Sequence, residues 1–473
     1  MNIIHTADWH LGQSFFGYDR KAEHLVFLEW LANAIKEHNT HALLIAGDIF
    51  DNPNPSADSQ KIYYRFLKEV TSQNPNLQIV IIAGNHDSAA RLEAPNPLLQ
   101  EMNITVKGVI KRYAEGEIDF NDLIVPLHKN GEVAALCLAV PYLRQGDYPV
   151  SETYAAGVKA MYQKLYEHIA NSTNSVQPNN QKNKNQINSN RVNNNQINSN
   201  QTTRNTINSN ISKEFQSLPI IAMGHLQATG SEISENDRSE KTIIGGLEAV
   251  SPSAFSQETL YTALGHLHKA QRVSGRENIR YAGSPLPMSF AEKNYKKGVN
   301  LISFGENATP RENVSIQNNL NNYSKEEIRD SIKLDSGVTI ERLNFEPPAK
   351  LISLTKAPAS LNEILEAIEL LPNGEITQFS PYLEIKVAIE QPEPALRHTI
   401  EEALKRKSVR LTRIEAVIKQ HKAAESKITF EQLKTISPLE IAEDVFSKKY
   451  GGNSMPQEIK ELFIKVIGQA QQQ

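Results

Sequence analysis

Apolar residues in the first half of the chain come in short runs that stop abruptly. Ala42–Ala46 reads ALLIA and Gln78–Ala83 reads QIVIIA. PIIAMGH (219–225), LYTALGHLH (260–268) and IRYAGSPL (279–286) repeat the pattern. Such runs lack polar alternation, as expected of strands covered on both faces. Between them the period changes. Leu25, Leu28, Leu31 and Ile35 recur at helical spacing across Lys21–Glu37, and Ser59–Val70 and Tyr154–Ile169 read the same way. Asn2–Ala7 is another short strand, with weaker strand-like runs near Ile104–Ile110, Leu123–Leu127 and Val133–Val140. Alternating strand and helix predicts an α/β architecture.

Past about Lys297 the texture changes. A strand near Val299–Phe304 leads into a polar stretch reaching about Arg342. Strand (Ala349–Leu354), helix (Leu361–Leu371), strand (Tyr382–Ile389), helix (Ala395–Lys405) and strand (Val409–Val417) then spell a small α+β domain. Ser437-Pro438-Leu439-Glu440 is a capping box with proline at the first helical position. Gly451-Gly452 is expected to end that helix. A last helix carries Ile459, Leu462, Phe463, Val466 and Ile467 on one face. Four parts are therefore expected: 1–297, a connector over 298–342, a small domain over 343–424 and a helical segment over 425–473.

One tract breaks the first part. Residues 174–210 hold 15 Asn in 37 residues, and INSN recurs at 187–190, 197–200 and 207–210. With one Ile per period it cannot stack as a solenoid. It reads as a disordered surface insertion.

Composition removes several classes. The 473 residues are 39% hydrophobic and 22% charged, as in ordinary globular proteins. The longest apolar runs are far short of a membrane span, and nothing resembles a cleavable signal peptide. Cys137 is the single cysteine, so intrachain disulfides are impossible, thiolate clusters are not expected, and a reducing cytoplasm fits. The formal net charge of −4 means that any phosphate-binding surface must be local.

The chemistry lies where the apolar runs end. Five strands stop at candidate metal ligands: Asp8 and His10 in ADWH, Asp48 in GDIFD, Asn85 and His86 in GNHD, His225 in GH, and His266 and His268 in GHLH. In open α/β sheets, sites form beyond the carboxyl ends of strands. A lone Gly-His or Asp-x-His would be an ordinary turn. His5, His24, His38, His41, His128, His168, His398 and His421 fall outside the pattern and read as core or surface residues. Nitrogen and oxygen donors without thiolate suit manganese, iron or zinc. Even seven of these eight exceed one tetrahedral site and suffice for two ions if one carboxylate bridges, with Asp48 the natural bridge. Two ions so held form a clamp for in-line attack at phosphorus.

The set D-x-H, G-D-x-x-D, G-N-H-D, G-H, G-H-x-H resembles the calcineurin-like metallophosphoesterase superfamily. TADWHLG, PYLRQGD (141–147) and AGSPLPMSF (282–290) are similar to its SbcD-type, Mre-eleven-like nuclease branch. The resemblance reaches to about Lys297 and implies a sandwich of two sheets flanked by helices. The small α+β domain then stands where that family has its capping domain, and the last helices where it docks a partner. The Asn-rich tract departs from the compact family pattern. The resemblance implies that Asp8, His10, Asp48 and His268 hold one ion, and that Asp48, Asn85, His225 and His266 hold the other, most naturally Mn²⁺. His86 would act on the scissile phosphate, Asp87 could orient it, and Asp51 would sit behind the ligands. No further cofactor is implied.

Basic residues after the last motif offer a surface for DNA. Lys269, Arg272, Arg276 and Arg280, with Lys293, Lys296 and Lys297, face only Glu277 and Glu292 between residues 269 and 297. They are expected either to track a phosphate backbone or to solvate a hairpin. The leading expectation is a manganese-dependent exonuclease and endonuclease acting on DNA double-strand ends and hairpins. The resemblance implies an SbcC-like coiled-coil ATPase as its partner; this chain has no G-x-x-x-x-G-K-[ST] loop, so any ATP that drives the complex must be bound by another chain. A homodimer within a heterotetramer is the expected assembly. Two alternatives stand beside it: a phosphoesterase acting on phosphoproteins or small phosphodiesters, and a non-catalytic protein that tethers DNA ends.

Overall fold

The computed structural model describes residues 1–174, 218–232, 249–305, 308, 331–390, 393–418, 438–449 and 454–470. The Asn-rich tract beyond Asn174 lies outside them, as do Ser437 of the capping box, Gly451 and Gly452. The side chains of Val466 and Ile467 are also outside.

In chain order the elements are β1 (Asn2–Thr6), α1 (Lys21–Glu37), β2 (Ala42–Ala46), α2 (Ala57–Gln73) and β3 (Gln78–Ile82). β4 (Ile104–Lys107), β5 (Ile124–Lys129), β6 (Glu132–Ala139), α3 (Tyr154–Asn174) and β7 (Ile220–His225) follow. Then come β8 (Thr259–Gly265), β9 (Gln271–Val273), β10 (Arg276–Tyr281), β11 (Lys297–Ser303), β12 (Ser331–Lys333) and β13 (Thr339–Phe345).

Two sheets result. The first has seven strands in the order β12-β13-β11-β1-β2-β3-β4, with β1 to β4 mutually parallel. The second has six in the order β9-β10-β8-β7-β6-β5, with β6, β7, β8 and β10 mutually parallel.

Strand alternation accounts for the unbroken apolar runs. Side chains on a strand alternate faces. Leu43, Ile45, Ile79 and Ile81 join α1 and α2 in one core. Leu44, Ala46, Val80 and Ile82 join Cys137, Ala139, Ile221, Met223 and Ala263 of the second sheet in another. Leu138, Ala222 and Leu264 pack with Val158, Met161, Tyr162 and Leu165 of α3 in a third. Both faces of each sheet are thus apolar, and the expected two-sheet sandwich flanked by helices is what forms. On α1, Leu28, Leu31 and Ile35 face inward with Phe27, whereas Leu25 is turned out at 41% exposure.

The strand expected near Val299–Phe304 is β11, and the stretch expected to be a connector beyond it carries β12 and the start of β13 as well. β11 pairs antiparallel with β1 from Asn2↔Ser303 to His5↔Asn300. β13 pairs antiparallel with β11 from Lys297↔Phe345 to Ser303↔Thr339. Val299 and Leu301 serve one core, Ile302 and Ile340 the other.

The chain divides into two compact units: Met1–Ile352 with Glu375–Leu383 and Ser408–Thr412, and Ser353–Gly374 with Glu384–Lys407 and Arg413–Gln473. β14 (Leu351–Ser353), β15 (Tyr382–Ile389) and β16 (Arg410–Ile418) pair in that order. Within the second unit, α4 (Leu361–Glu369) begins at a capping box of Ser360 and Glu363. α5 is Leu396–Leu404. Glu384 accepts from Ser353 Oγ at 3.1 Å and Arg413 Nε at 2.6 Å. Lys407 Nζ donates to the carbonyls of Glu369 and Leu371 at the end of α4. α6 (Pro438–Lys449) and α7 (Gln457–Ala470) are joined by a Lys460–Glu443 ion pair. Among the described residues no helix is long and apolar enough to cross a membrane.

Leu44 is fully buried between the two sheets. Leu44→Ala is expected to cost about 2–5 kcal/mol. The check is a lower urea midpoint at an unchanged slope.

Candidate metal centre

The site is built from loops that leave parallel strands side by side. Past β1 and β2 the chain keeps pairing: Asp8 N donates to Gly47 O at 3.0 Å, His10 N to Asp48 O at 3.0 Å, and Leu11 N to Ile49 O at 2.9 Å. Asp8, His10, Asp48 and His266 all have positive φ, of 55°, 48°, 51° and 100°. Such conformations cost roughly 1–3 kcal/mol each and gather where the surrounding structure over-determines them. Two glycines make the approach possible. A Cβ on Gly84 would run into the Asp48 carboxylate and backbone N, and one on Gly265 would strike the Ala46 carbonyl.

All seven expected ligands meet in one cluster. Asn85 Oδ1 lies 2.8 Å from His225 Nε2 and 3.1 Å from His266 Nδ1. Asp48 Oδ2 lies 3.2 Å from His225 Nε2 and 3.8 Å from His10 Nε2. His10 Nε2 faces His268 Nε2 at 3.2 Å. His266 N donates to Asp8 Oδ1 at 2.9 Å. Asp8, Asp48, His10, His225, His266 and His268 are buried, and Asn85 and His86 are half-buried on the open side. Two trios have ligand atoms close enough to share an ion: His10, Asp48 and His86, and Asp8, Asp48 and His225. Asp48 belongs to both. The first trio includes His86, which the family resemblance had placed outside the ligands.

The donor set fits divalent cations. His225 Nδ1 is 2.8 Å from the Ala46 carbonyl and donates to it, which turns Nε2 to two oxygen acceptors, Asn85 Oδ1 and Asp48 Oδ2. Asp8 Oδ2 and Asp48 Oδ2 are buried without a hydrogen bond among the described residues. Acceptors converging on one point require a proton or a metal ion between them.

Electrostatics says the same. Burial raises the Asp8 pKa to about 6, with Asp48 adding to the rise against His225, His268 and His10. Burial would also raise Asp48, but His225, His10 and His86 outweigh it and hold its pKa well below the usual range. Burial would depress His225, yet Asp48 and then Asp8 lift it to about 10. The two carboxylates draw in positive charge, which divalent ions supply.

Behind the ligands lies a support that sequence reasoning missed. His268 Nδ1 is 3.0 Å from Glu292 Oε1. Glu292 Oε2 pairs with Lys297 Nζ at 2.5 Å, and Lys297 also donates to Ser284 Oγ at 2.8 Å. Glu292 and Lys297 are 1% and 3% exposed. Burial works to raise the Glu292 pKa, but Lys297 and His268 bring it down to about 2. The carboxylate fixes the Nδ1–H tautomer of His268 and turns Nε2 toward the cluster. The only signal in the sequence is a Glu and a Lys five apart in a polar stretch, where they read as solvated charge.

His86 and Asp87 separate. His86 Nδ1 meets the Asp51 carbonyl at 2.8 Å, and His86 N donates to Asp48 Oδ1 at 2.8 Å. The Asp87 carboxylate does not reach the imidazole. It accepts from Phe50 N at 3.0 Å, Ile49 N at 3.1 Å and Gly84 N at 2.9 Å. The expected orientation of His86 by Asp87 is therefore replaced by the Asp51 backbone.

The expected basic track also changes. Arg280 is 1% exposed and held by the Glu277 carboxylate and carbonyl. Its strand neighbours Ile279 and Tyr281 face the α3 core, so strand alternation turns Arg280 between the sheets, away from any DNA backbone. Arg272 pairs with Glu277, Lys269 with Glu232, and Arg276 donates to the Pro252 carbonyl at 3.1 Å.

A two-sheet sandwich that gathers imidazoles, carboxylates and an amide at its strand ends defines a metallophosphoesterase. Residues 1–270 match the family model described as calcineurin-like phosphoesterase, and residues 347–450 the one described as type 5 capsule protein repressor C-terminal domain. The SbcD component of the SbcCD nuclease of Rhodobacter capsulatus is 35% identical over 318 residues, spanning 66% of this chain and 68% of that one. The protein of the same name from Escherichia coli K12 is 31% identical over 304 residues, 64% of this chain and 65% of that one. That of Bacillus subtilis is 29% identical over 323 residues, 66% and 69%. The chain belongs to the calcineurin-like phosphoesterase family, in the branch of the SbcD nucleases.

Glu292→Gln keeps the shape and removes the charge behind His268. It is expected to weaken metal affinity about 10–100-fold with little loss of fold, as measured by isothermal titration with Mn²⁺ alongside a thermal melt.

Proposed function

We propose that this chain is the dimetal catalytic component of a DNA nuclease. It hydrolyses phosphodiester bonds at DNA double-strand ends and hairpins, as exonuclease and endonuclease, together with an SbcC-like coiled-coil ATPase. The observation that carries the reading is the position of Asp48, whose carboxylate belongs to both candidate ligand trios. Asp48 bridges. By the family resemblance Asp8, His10 and His268 would complete one site, and Asn85, His225 and His266 the other, whereas the trios group Asp8 with His225 and His86 with His10. Mn²⁺ suits this set of imidazole and oxygen donors. Bound ions would supply acidification of an attacking water and neutralisation of charge on the phosphoryl oxygens.

The chain's own residues do the rest. The buried cluster excludes bulk water on every side but that of Asn85 and His86. His86, with Nδ1 engaged by the Asp51 carbonyl, keeps Nε2 for the substrate. As an imidazolium it donates to a non-bridging oxygen or protonates the leaving oxygen. Lys269, Arg272 and Arg276, half-buried with their partners, are the candidate phosphate contacts beside the site.

The C-terminal helices are read as the docking element for the ATPase. Ile459 is 43% exposed, Leu462 62% and Ile464 53% on α7, and Val445 is 55% exposed on α6. Ile459 and Leu462 of the apolar stripe are exposed and Phe463 is half-buried, and a partly exposed apolar stripe fits a helix-in-groove or coiled-coil partner. A homodimer of this chain within a heterotetramer completes the proposed assembly.

The direct test is cleavage of linear duplex and hairpin DNA by the purified chain, with and without the ATPase, across Mn²⁺, Mg²⁺ and ATP. Generic aryl phosphodiesters serve as the comparison, and a preference for them over DNA would reject the nuclease reading. His86→Ala is expected to lower the cleavage rate by about 10²–10⁴ while keeping both ions. Elemental analysis showing empty sites would make His86 a ligand. Truncation after Ser426 is expected to abolish co-purification with the ATPase and to spare Mn²⁺ binding, and unchanged co-purification would refute the docking role.

A further inference from the structure

Asp87 is a buried carboxylate that the proposed reaction does not use. It is 2% exposed, and both of its oxygens are taken by backbone N–H groups. Those groups lie on two different loops. Ile49 and Phe50 directly follow Asp48 on the loop after β2, and Gly84 directly precedes Asn85 on the loop after β3. The β2–β3 ladder has register to Ala46↔Ile82, and the ligands come after it. The loops touch there, since Gly84 leaves no room for a Cβ against Asp48. One side chain therefore ties the loop bearing the proposed bridge to the loop bearing an amide ligand of the second site.

We infer that Asp87 is a positioning residue that sets the distance between the Asp48 and Asn85 loops, and so lets two ions sit at bridging distance, without acting through His86. This rests on the two-ion reading above. Three charge-assisted bonds from one carboxylate fix both loops in position and direction. His86 takes its orientation from the Asp51 carbonyl and not from the Asp87 carboxylate. Asn at this position keeps the volume but points an N–H₂ at backbone donors, opening at least one of the three bonds.

The test is Mn²⁺ titration of the full chain followed by electron paramagnetic resonance, because two Mn²⁺ ions sharing a bridge give an exchange-coupled signal. The wild-type chain is expected to take two ions and show that signal at saturation. Asp87→Asn is expected to bind the second ion at least about tenfold more weakly and to lose the coupled signal. Its DNA cleavage should recover as Mn²⁺ is raised. His86→Ala is expected to keep the coupled signal and not to recover. Should Asp87→Asn fail to accumulate as folded protein, Asp87→Ser is read by the same titration. A coupled pair at wild-type affinity in either Asp87 variant overturns the positioning role, as does a fall in kcat that excess Mn²⁺ does not restore. A wild-type chain that never shows the coupled signal overturns the two-ion reading itself, and this inference with it.

Discussion

Everything at the site depends on how closely several backbones approach beneath one carboxylate. Asp48 sits where the loop from Asp8 to Leu11 pairs with its own loop, where Gly84 lies against it, and where Gly265 meets the carbonyl of Ala46 just before it. Two sheets can bring their carboxyl-end loops that near only if nothing larger than hydrogen occupies the crossing points. The left-handed backbone at Asp8, His10, Asp48 and His266 follows from the same crowding. Strain collects where the ligands are because the two stacked sheets leave the loops no other path.

The second requirement is electrical. Six buried titratable groups within contact of one another would be unstable in an apolar interior unless their charges balance. Balance is arranged in layers. His225 leans on the Ala46 carbonyl, and His268 leans on Glu292, which Lys297 neutralises in turn. Lys297 is the first residue of β11, the strand paired to β1. A charge far along the chain thus steadies a ligand of the first motif's neighbour.

What could be read from sequence was whatever depends on period and on strand ends. Continuous apolar runs that stop abruptly announced both the double burial of the strands and the convergence of seven candidate ligands. What could not be read depends on direction and register. His86 and Asp87 are neighbours in sequence, which suggests a pair, yet adjacent side chains point apart and find different partners. Arg280 counts as positive charge in a composition, and its place on β10 turns it inward. Beyond the strand legible near Val299–Phe304, the stretch to Arg342 looks polar on average, and that average hides β12 and the start of β13, which complete a sheet begun at residue 2. Glu292 stands 24 residues from the histidine it supports, with no motif to tie them together.

The antiparallel placement of β11 against β1 has a consequence for what counts as a module. The phosphoesterase family model ends at residue 270, but the sheet carrying its first two candidate ligands is completed from residues 297–303 and 339–345. A fragment cut at the limit of likeness would leave β1 as a bare, largely apolar edge, open to pairing with another chain. Inheritance and folding therefore use different boundaries here. The heritable catalytic signature is shorter than the smallest piece of polypeptide that can close its own sheet.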